Sequence, residues 1–183
     1  MEYVTLAARC ALGIVFLAAV VGKVRGRAAF EAFRRSVPAF VPAFVQAFIR
    51  AFIQAGRVPA ALPVTVVAVE SATVVLLTAE STAPAGLVLA GAVLLAFSSG
   101  IRYALRSGSR ASCNCFSSSS APLRRRHLVR NLGLIAVAGT GLAASFAGTP
   151  AHPAGAVLAV AAGGLIALLA IFTDDLTDLF AAH

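Results

Sequence analysis

The chain has 183 residues, of which 60% are hydrophobic and only 12% are charged, whereas soluble domains carry about 25% charged residues. This composition leaves too little polar surface for a water-soluble globule, so it predicts a single integral membrane domain over residues 1–183. The formal net charge is +8, but the basic residues flank apolar runs. That placement argues against nucleic-acid binding and for contact with the lipid bilayer.

The first apolar segment covers residues 4–21, a length that is just enough for a helix to cross the hydrocarbon core. It lacks a basic start and a clear cleavage site, so we expect an uncleaved span rather than a signal peptide. Arg9 lies near enough to the end of this span to reach the interface with its side chain. Cys10 is expected to be a buried structural cysteine, and Lys23 marks the end of the span.

Residues 29–55 differ from the spans because Phe recurs at helical spacing between Arg and Gln residues. This pattern predicts an amphipathic, Phe-rich helix that lies in the membrane interface, with packed protein core as the alternative. Pro38 and Pro42 are expected to divide it into two short helices.

Four further apolar segments follow, at residues 62–79, 85–105, 128–147 and 154–172. The fold class is therefore an all-α, multi-pass transmembrane bundle with four core spans and a fifth C-terminal span, followed by a short acidic tail. Glu70 lies near the middle of the second span. A carboxylate at that depth is expected to relay protons, to form an ion pair with Arg9 or Lys23, or to be a neutral carboxyl hydrogen-bonded to a serine or threonine.

Fourteen of the 15 Lys and Arg residues fall in two segments, which five crossings place on the same side of the membrane. The positive-inside rule then predicts a cell-membrane protein whose amino terminus is outside and whose two basic segments are cytosolic.

The second basic segment, residues 106–127, contains Cys113 and Cys115, two of the three cysteines. Two thiols this close can cycle between dithiol and disulfide, and the small ring that they close predicts an exchange-active disulfide. The positive charge of neighbouring arginines, Arg110 among them, favours the thiolate form of these cysteines over the thiol. The same sulfurs could instead hold Cu(I), or zinc together with His127, or be incidental loop residues.

Arg130 and Asn131 open the fourth span directly after the cysteine segment. Their donors, together with Lys23, are candidates for binding the polar head of a cofactor, or Arg130 simply marks the interface. Gly163 and Gly164 in the last span are typical of closely packed helices.

Several of these residues form motifs that resemble the MauE branch of the DoxX-like membrane proteins, named for methylamine utilisation. The motifs are residues 12–17 with Gly22-Lys23, Leu62-Pro63 followed by Glu70, Cys113-Asn114-Cys115-Phe116, and Val129-Arg130-Asn131-Leu132. The family usually has glycine where this chain has Asn114 and Ser117. The resemblance runs from about Arg9 through the fourth span and leaves the fifth outside.

The resemblance implies a four-helix membrane bundle associated with disulfide chemistry, a thioredoxin-like partner and, as a candidate cofactor, a quinone. Together with the residues themselves, it predicts a membrane thiol–disulfide oxidoreductase. Cys113 and Cys115 would exchange electrons and Glu70 would assist proton movement. A metal-binding membrane protein and a non-catalytic assembly factor are the alternatives.

Overall fold

The structure, a computed structural model, describes residues 2–40, 61–106, 125–147 and 152–181. Within these ranges it contains six helices and no strand, which confirms the all-α class. The helices are α1 (Glu2–Val24), α2 (Arg27–Phe40), α3 (Ala61–Thr78), α4 (Ala83–Arg106), α5 (Arg125–Ser145) and α6 (Pro153–Ala181).

Four helices, α1, α4, α5 and the Pro153–Thr173 part of α6, are long and apolar enough to cross a membrane. The apolar part of α3, Leu62–Thr78, is shorter, so the crossing of α3 stays a prediction. The Pro153–Thr173 part of α6 coincides with the predicted fifth span at residues 154–172, and α6 continues as a helix to Ala181. Helix α5 begins at Arg125, three residues before the predicted span.

Helix α1 is the centre of the bundle and packs against α3, α5, α6 and α2. One core joins the spans, with Leu12 and Phe16 of α1 packed among Leu87 of α4, Leu134 of α5 and Ala167 of α6. The buried residues of α1 form one continuous face of that helix, whereas Val157 and Leu158 of α6 are largely exposed to the surroundings. In a bilayer, such exposed apolar side chains face lipid.

The helix directions follow from contacts near their ends. The hydroxyl of Thr5 donates to the carbonyl of Gly141, so α1 begins where α5 ends. Tyr3 contacts His152, so α1 and α6 begin at the same end of the bundle. We call this the first end, and we call the opposite end, which holds Lys23, Arg106 and Arg125, the second end.

The two predicted basic segments can be located relative to the two ends of the bundle. Ten of their arginines and lysines lie in the described helices and connections, and all ten are at or near the second end: Lys23, Arg25, Arg27, Arg34, Arg35, Arg102, Arg106, Arg125, Arg126 and Arg130. The described helices therefore bring the positive residues of both segments together at one end of the bundle.

The Phe-rich segment is described only as far as Phe40. Helix α2 passes through Pro38, and Pro42 with the rest of the predicted helix up to residue 55 lies outside the described residues. Phe33 and Val37 of α2 are buried, and α2 packs against α1, α3 and α4. In α2, Phe33 therefore faces protein rather than lipid, while Arg34 and Arg35 are exposed.

Candidate functional site

The most unusual feature of the bundle is an ion pair between α1 and α3. The Nζ atom of Lys23 lies 2.6 Å from Oε1 and 2.8 Å from Oε2 of Glu70. Both side chains are only 1% exposed. A charged pair withdrawn this completely from solvent costs several kcal/mol in desolvation for each ion, so it is weak support for stability and a marker of function.

The geometry of the helices explains how these two residues meet. Side chains on a helix point back toward its amino terminus, so Lys23, in the last turn of α1, extends from the second end into the bundle. Glu70 lies nine residues into α3 from Ala61, which is about 13 Å along the helix axis. The Lys23 side chain extends toward the middle of α3, and its ammonium group ends beside the Glu70 carboxylate.

Two aromatic rings complete the surroundings of Lys23. Its Nζ atom lies 5.1 Å from the ring centroid of Phe33 on α2 and 5.8 Å from that of Phe97 on α4. Both distances fall within the range at which a ring face attracts a cation. Lys23 therefore joins four helices, because it belongs to α1, binds α3 and touches aromatic side chains of α2 and α4.

Further buried polar side chains lie on α3, α4 and α5. Thr73 of α3 donates to the carbonyl of Val69, and Ser98 of α4 donates to that of Leu94. His127 and Asn131, one turn apart on α5, are also buried. The half of the bundle at the second end is thus polar inside, whereas hydrophobic side chains fill the centre of the core.

The structure shows which of the two predicted ion-pair partners contacts Glu70. Arg9 does not bind Glu70 but donates from Nε to the carbonyl of Leu77 and from a terminal nitrogen to that of Thr78, at 3.0 and 2.7 Å. These are carbonyls in the last turn of α3, where a helix leaves acceptors unsatisfied and where a positive charge is favourable. Arg9 thus caps α3 at the first end, a role that its sequence position did not indicate.

The remaining predicted site residues are only partly placed. Asn131 is buried and Arg130 is half-buried at the second end, on the same helix as His127. Cys113 and Cys115 lie outside the described residues, but the helices on either side of their segment end at Arg106 and begin at Arg125. Cys10 is half-buried rather than fully buried and is a free cysteine.

Three of these features were not among the predictions from the sequence: the burial of His127 and the contacts of Phe33 and Phe97 with Lys23. A signal for His127 was present, because His127, Asn131 and Leu134 recur at helical spacing and continue the buried face of α5 back to its first turn.

Long apolar helices around a buried ion pair define this chain as a multi-pass helical membrane protein with a polar interior at one end. Comparison with protein families matches residues 1–144 to the family described as Methylamine utilisation protein MauE. The match covers α1 to α5, and the chain belongs to this family. No curated protein and no solved structure matches the chain.

Proposed function

We propose that this MauE-family protein is a membrane thiol–disulfide redox protein in which Cys113 and Cys115 form the redox pair. The observation that carries the proposal is the position of the polar interior. The buried Lys23–Glu70 pair lies in the half of the bundle at which α4 ends and α5 begins, and the cysteine segment joins those two helices. In the sequence, Cys113 follows Arg106 by seven residues and Cys115 precedes Arg125 by ten.

The proposed reaction is a two-electron exchange. A disulfide between Cys113 and Cys115 takes two electrons and two protons from the dithiol of a client or thioredoxin-like protein, whose own disulfide forms. The reduced pair then returns two electrons and two protons to an oxidant, either another disulfide or a quinone that becomes a quinol. Each transfer between sulfurs proceeds by thiolate attack and a mixed disulfide.

Glu70 would assist the proton transfers that accompany this electron exchange. The Lys23–Glu70 pair can hold a proton on either partner, as ammonium with carboxylate or as amine with carboxylic acid. Because the pair has a net charge of zero in both forms, an internal proton shift creates no isolated charge in the bundle. Asn131 and Arg130 lie on the helix that follows the cysteine segment, and in this scheme their donors would hold the polar head of the oxidant.

The proposed location follows from the clustering of positive residues at the second end. The amino terminus and the connection between α5 and α6 would lie outside the cell, and the second end would lie in the cytosol. The partner would accordingly approach from the cytosolic side.

The experiment is thiol labelling of the protein in membranes, with and without prior reduction by dithiothreitol. Reduction should expose two further thiols, and Cys113→Ser or Cys115→Ser should each abolish that difference, while Cys10→Ser leaves it intact. Labelling that is unaffected by reduction would refute the redox role. Copper or zinc bound stoichiometrically under reducing conditions, and lost on Cys113→Ser, would support the metal-binding alternative instead. Function that survives replacement of both cysteines would support an assembly role.

A further inference from the structure

A surface groove of about 470 Å³ lies at the second end, where α1 turns into α2, and we call it the corner groove. It is lined by Val24 of α1, by Gly26 of the connection, and by Arg27, Phe30 and Glu31 of α2. A Cβ added at Gly26 would meet nothing within 4 Å, so the groove is open beside the connection. Its volume falls in the range of about 300–1,000 Å³ that is usual for ligand sites.

An exposed apolar stripe on α1 leads to the corner groove. Its side chains are three or four residues apart, which places them on one face of the helix, and each is between 41% and 51% exposed: Ile14, Leu17, Val21 and Val24. In a bilayer such a face contacts acyl chains. Val24 belongs to both the stripe and the groove. A lipid chain that lies along the stripe toward the second end would therefore place its head at the groove.

The charge around the corner groove is positive. The connection and α2 carry four arginines and one glutamate, which gives a net charge of +3, and all five side chains are exposed: Arg25, Arg27, Arg34, Arg35 and Glu31. Glu31 lies 3.8 Å from a terminal nitrogen of Arg35, so its charge is partly offset. The corner therefore complements a head of net negative charge.

Arg27 is the cation of the groove lining itself. The ion pairs within the described part of the chain join Lys23 to Glu70 and Arg35 to Glu31, and they leave Arg27 without an acidic partner. A guanidinium presents several hydrogen-bond donors in a plane, a geometry that matches two oxygens of a phosphate. Arg27 can therefore bind a phosphate group in the groove without giving up an ion pair.

We propose that the corner groove binds one phospholipid whose head carries a net negative charge. The phosphate contacts Arg27, with Arg25 beside it in the connection, and one acyl chain lies along Val24, Val21 and Leu17. A zwitterionic phospholipid has the same phosphate and the same chains, but its ammonium group faces the positive charge of the corner and weakens its binding. This lipid site does not depend on the proposed redox role.

The test measures which lipid stays bound to the full-length protein. The protein is mixed in mild detergent with equal amounts of phosphatidylglycerol and phosphatidylcholine of the same acyl chains. Native mass spectrometry then measures the mass of the protein with its bound lipid. Arg27→Gln removes the cation of the groove, and Arg125→Gln is the matched control. Arg125 is also exposed at the second end, but it lies on α5, whereas α2 packs against α1, α3 and α4.

The parent should retain one phosphatidylglycerol in preference to phosphatidylcholine. Arg27→Gln should lower this preference roughly fivefold, which is the effect of one basic residue near an anionic membrane surface. Glu31→Gln should raise the preference, because it removes the negative charge that lines the groove. Arg125→Gln should leave the preference near that of the parent in about 0.15 M salt, where exposed charges more than about 8 Å apart are largely screened.

Each of the following results would overturn the proposal. Equal retention of the two lipids by the parent would mean that the groove does not recognise the head. An unchanged preference in Arg27→Gln, or no increase in Glu31→Gln, would mean that the lipid binds elsewhere. An equal loss in Arg125→Gln would mean that the overall charge of the second end attracts the lipid. Since these variants leave the cysteines, Lys23 and Glu70 intact, the outcome is independent of the thiol-labelling experiment.

Discussion

Lys23 and Glu70 are 47 residues apart in sequence, yet the ammonium of one contacts both carboxylate oxygens of the other inside the bundle. Neither partner can reach solvent while the pair is intact, because each is 1% exposed. The pair joins the end of α1 to the middle of α3, and the ring of Phe33 places α2 over the same charge. The polar interior at the second end is built around this contact.

The first prediction concerns the energetics of the pair. Lys23→Met or Glu70→Leu alone should lower the free energy of unfolding by about 3 kcal/mol, because each leaves one buried charge uncompensated. The double variant Lys23→Met with Glu70→Leu should recover most of that loss, since apolar replacements remove both charges together. Unfolding in mixed detergent micelles, followed by circular dichroism, measures these differences.

The exposed Glu31–Arg35 pair on α2, with a nitrogen–oxygen distance of 3.8 Å, is the matched control. Glu31→Gln should leave the unfolding curve unchanged, because exposed pairs contribute little. If either single buried variant were as stable as the parent, or if the two losses simply added in the double variant, Lys23 and Glu70 would not be energetically coupled.

The second prediction concerns the docking of α2. Phe33→Ala removes a buried ring and a cation–π contact, and a substitution of this kind costs about 3 kcal/mol. Since about 1.4 kcal/mol corresponds to a factor of ten, local opening of α2 should become roughly a hundred times more frequent. A glutamyl endoprotease should then cleave at Glu31, the acidic residue of α2, correspondingly faster.

Arg34→Ala is the control for Phe33→Ala, since Arg34 is exposed on the same helix and its truncation should leave the cleavage rate at Glu31 near that of the parent. An unchanged rate in Phe33→Ala would show that the Phe33 contact does not hold α2 on the bundle.

The third prediction concerns orientation in the membrane. In a variant without native cysteines, Arg34→Cys at the second end and His152→Cys at the first end should react with an impermeant maleimide from opposite faces. In inverted vesicles, Arg34→Cys should be labelled at once and His152→Cys only after permeabilisation. Labelling of both from one face would contradict the arrangement of the crossings, and the reverse pattern would contradict the cytosolic location of the second end.

Hydropathy alone was sufficient to predict the class of fold, because each span must be apolar along its own length. The sequence placed residues 85–105 and 128–147 in spans, and the structure has long apolar helices at Ala83–Arg106 and Arg125–Ser145. The acidic residues after Thr173 do not interrupt α6, since charge lowers hydropathy without breaking a helix.

The partner of Glu70 could not be chosen from the sequence because the register between α1 and α3 is set by packing. Both Arg9 and Lys23 were candidates, and only the helix contacts assign Arg9 to the end of α3 and Lys23 to Glu70. The orientation of Phe33 was ambiguous for a different reason. A Phe face suits lipid and protein interior equally well, so amphipathicity does not identify its neighbour. The predicted close helix packing is confirmed at Gly163, whereas a Cβ added at Gly164 would meet nothing within 4 Å.

The most direct test of the central claim is a redox titration of the Cys10→Ser variant, in which Cys113 and Cys115 are the remaining thiols. Samples are equilibrated in glutathione buffers and quenched with acid, and their free thiols are alkylated. The mass of the alkylated protein is then measured by mass spectrometry. The account predicts two populations that differ by two alkyl groups and interconvert in one two-electron step, at a potential above the range of about −300 mV typical of structural disulfides. A chain that carries two alkyl groups in every buffer would contradict it.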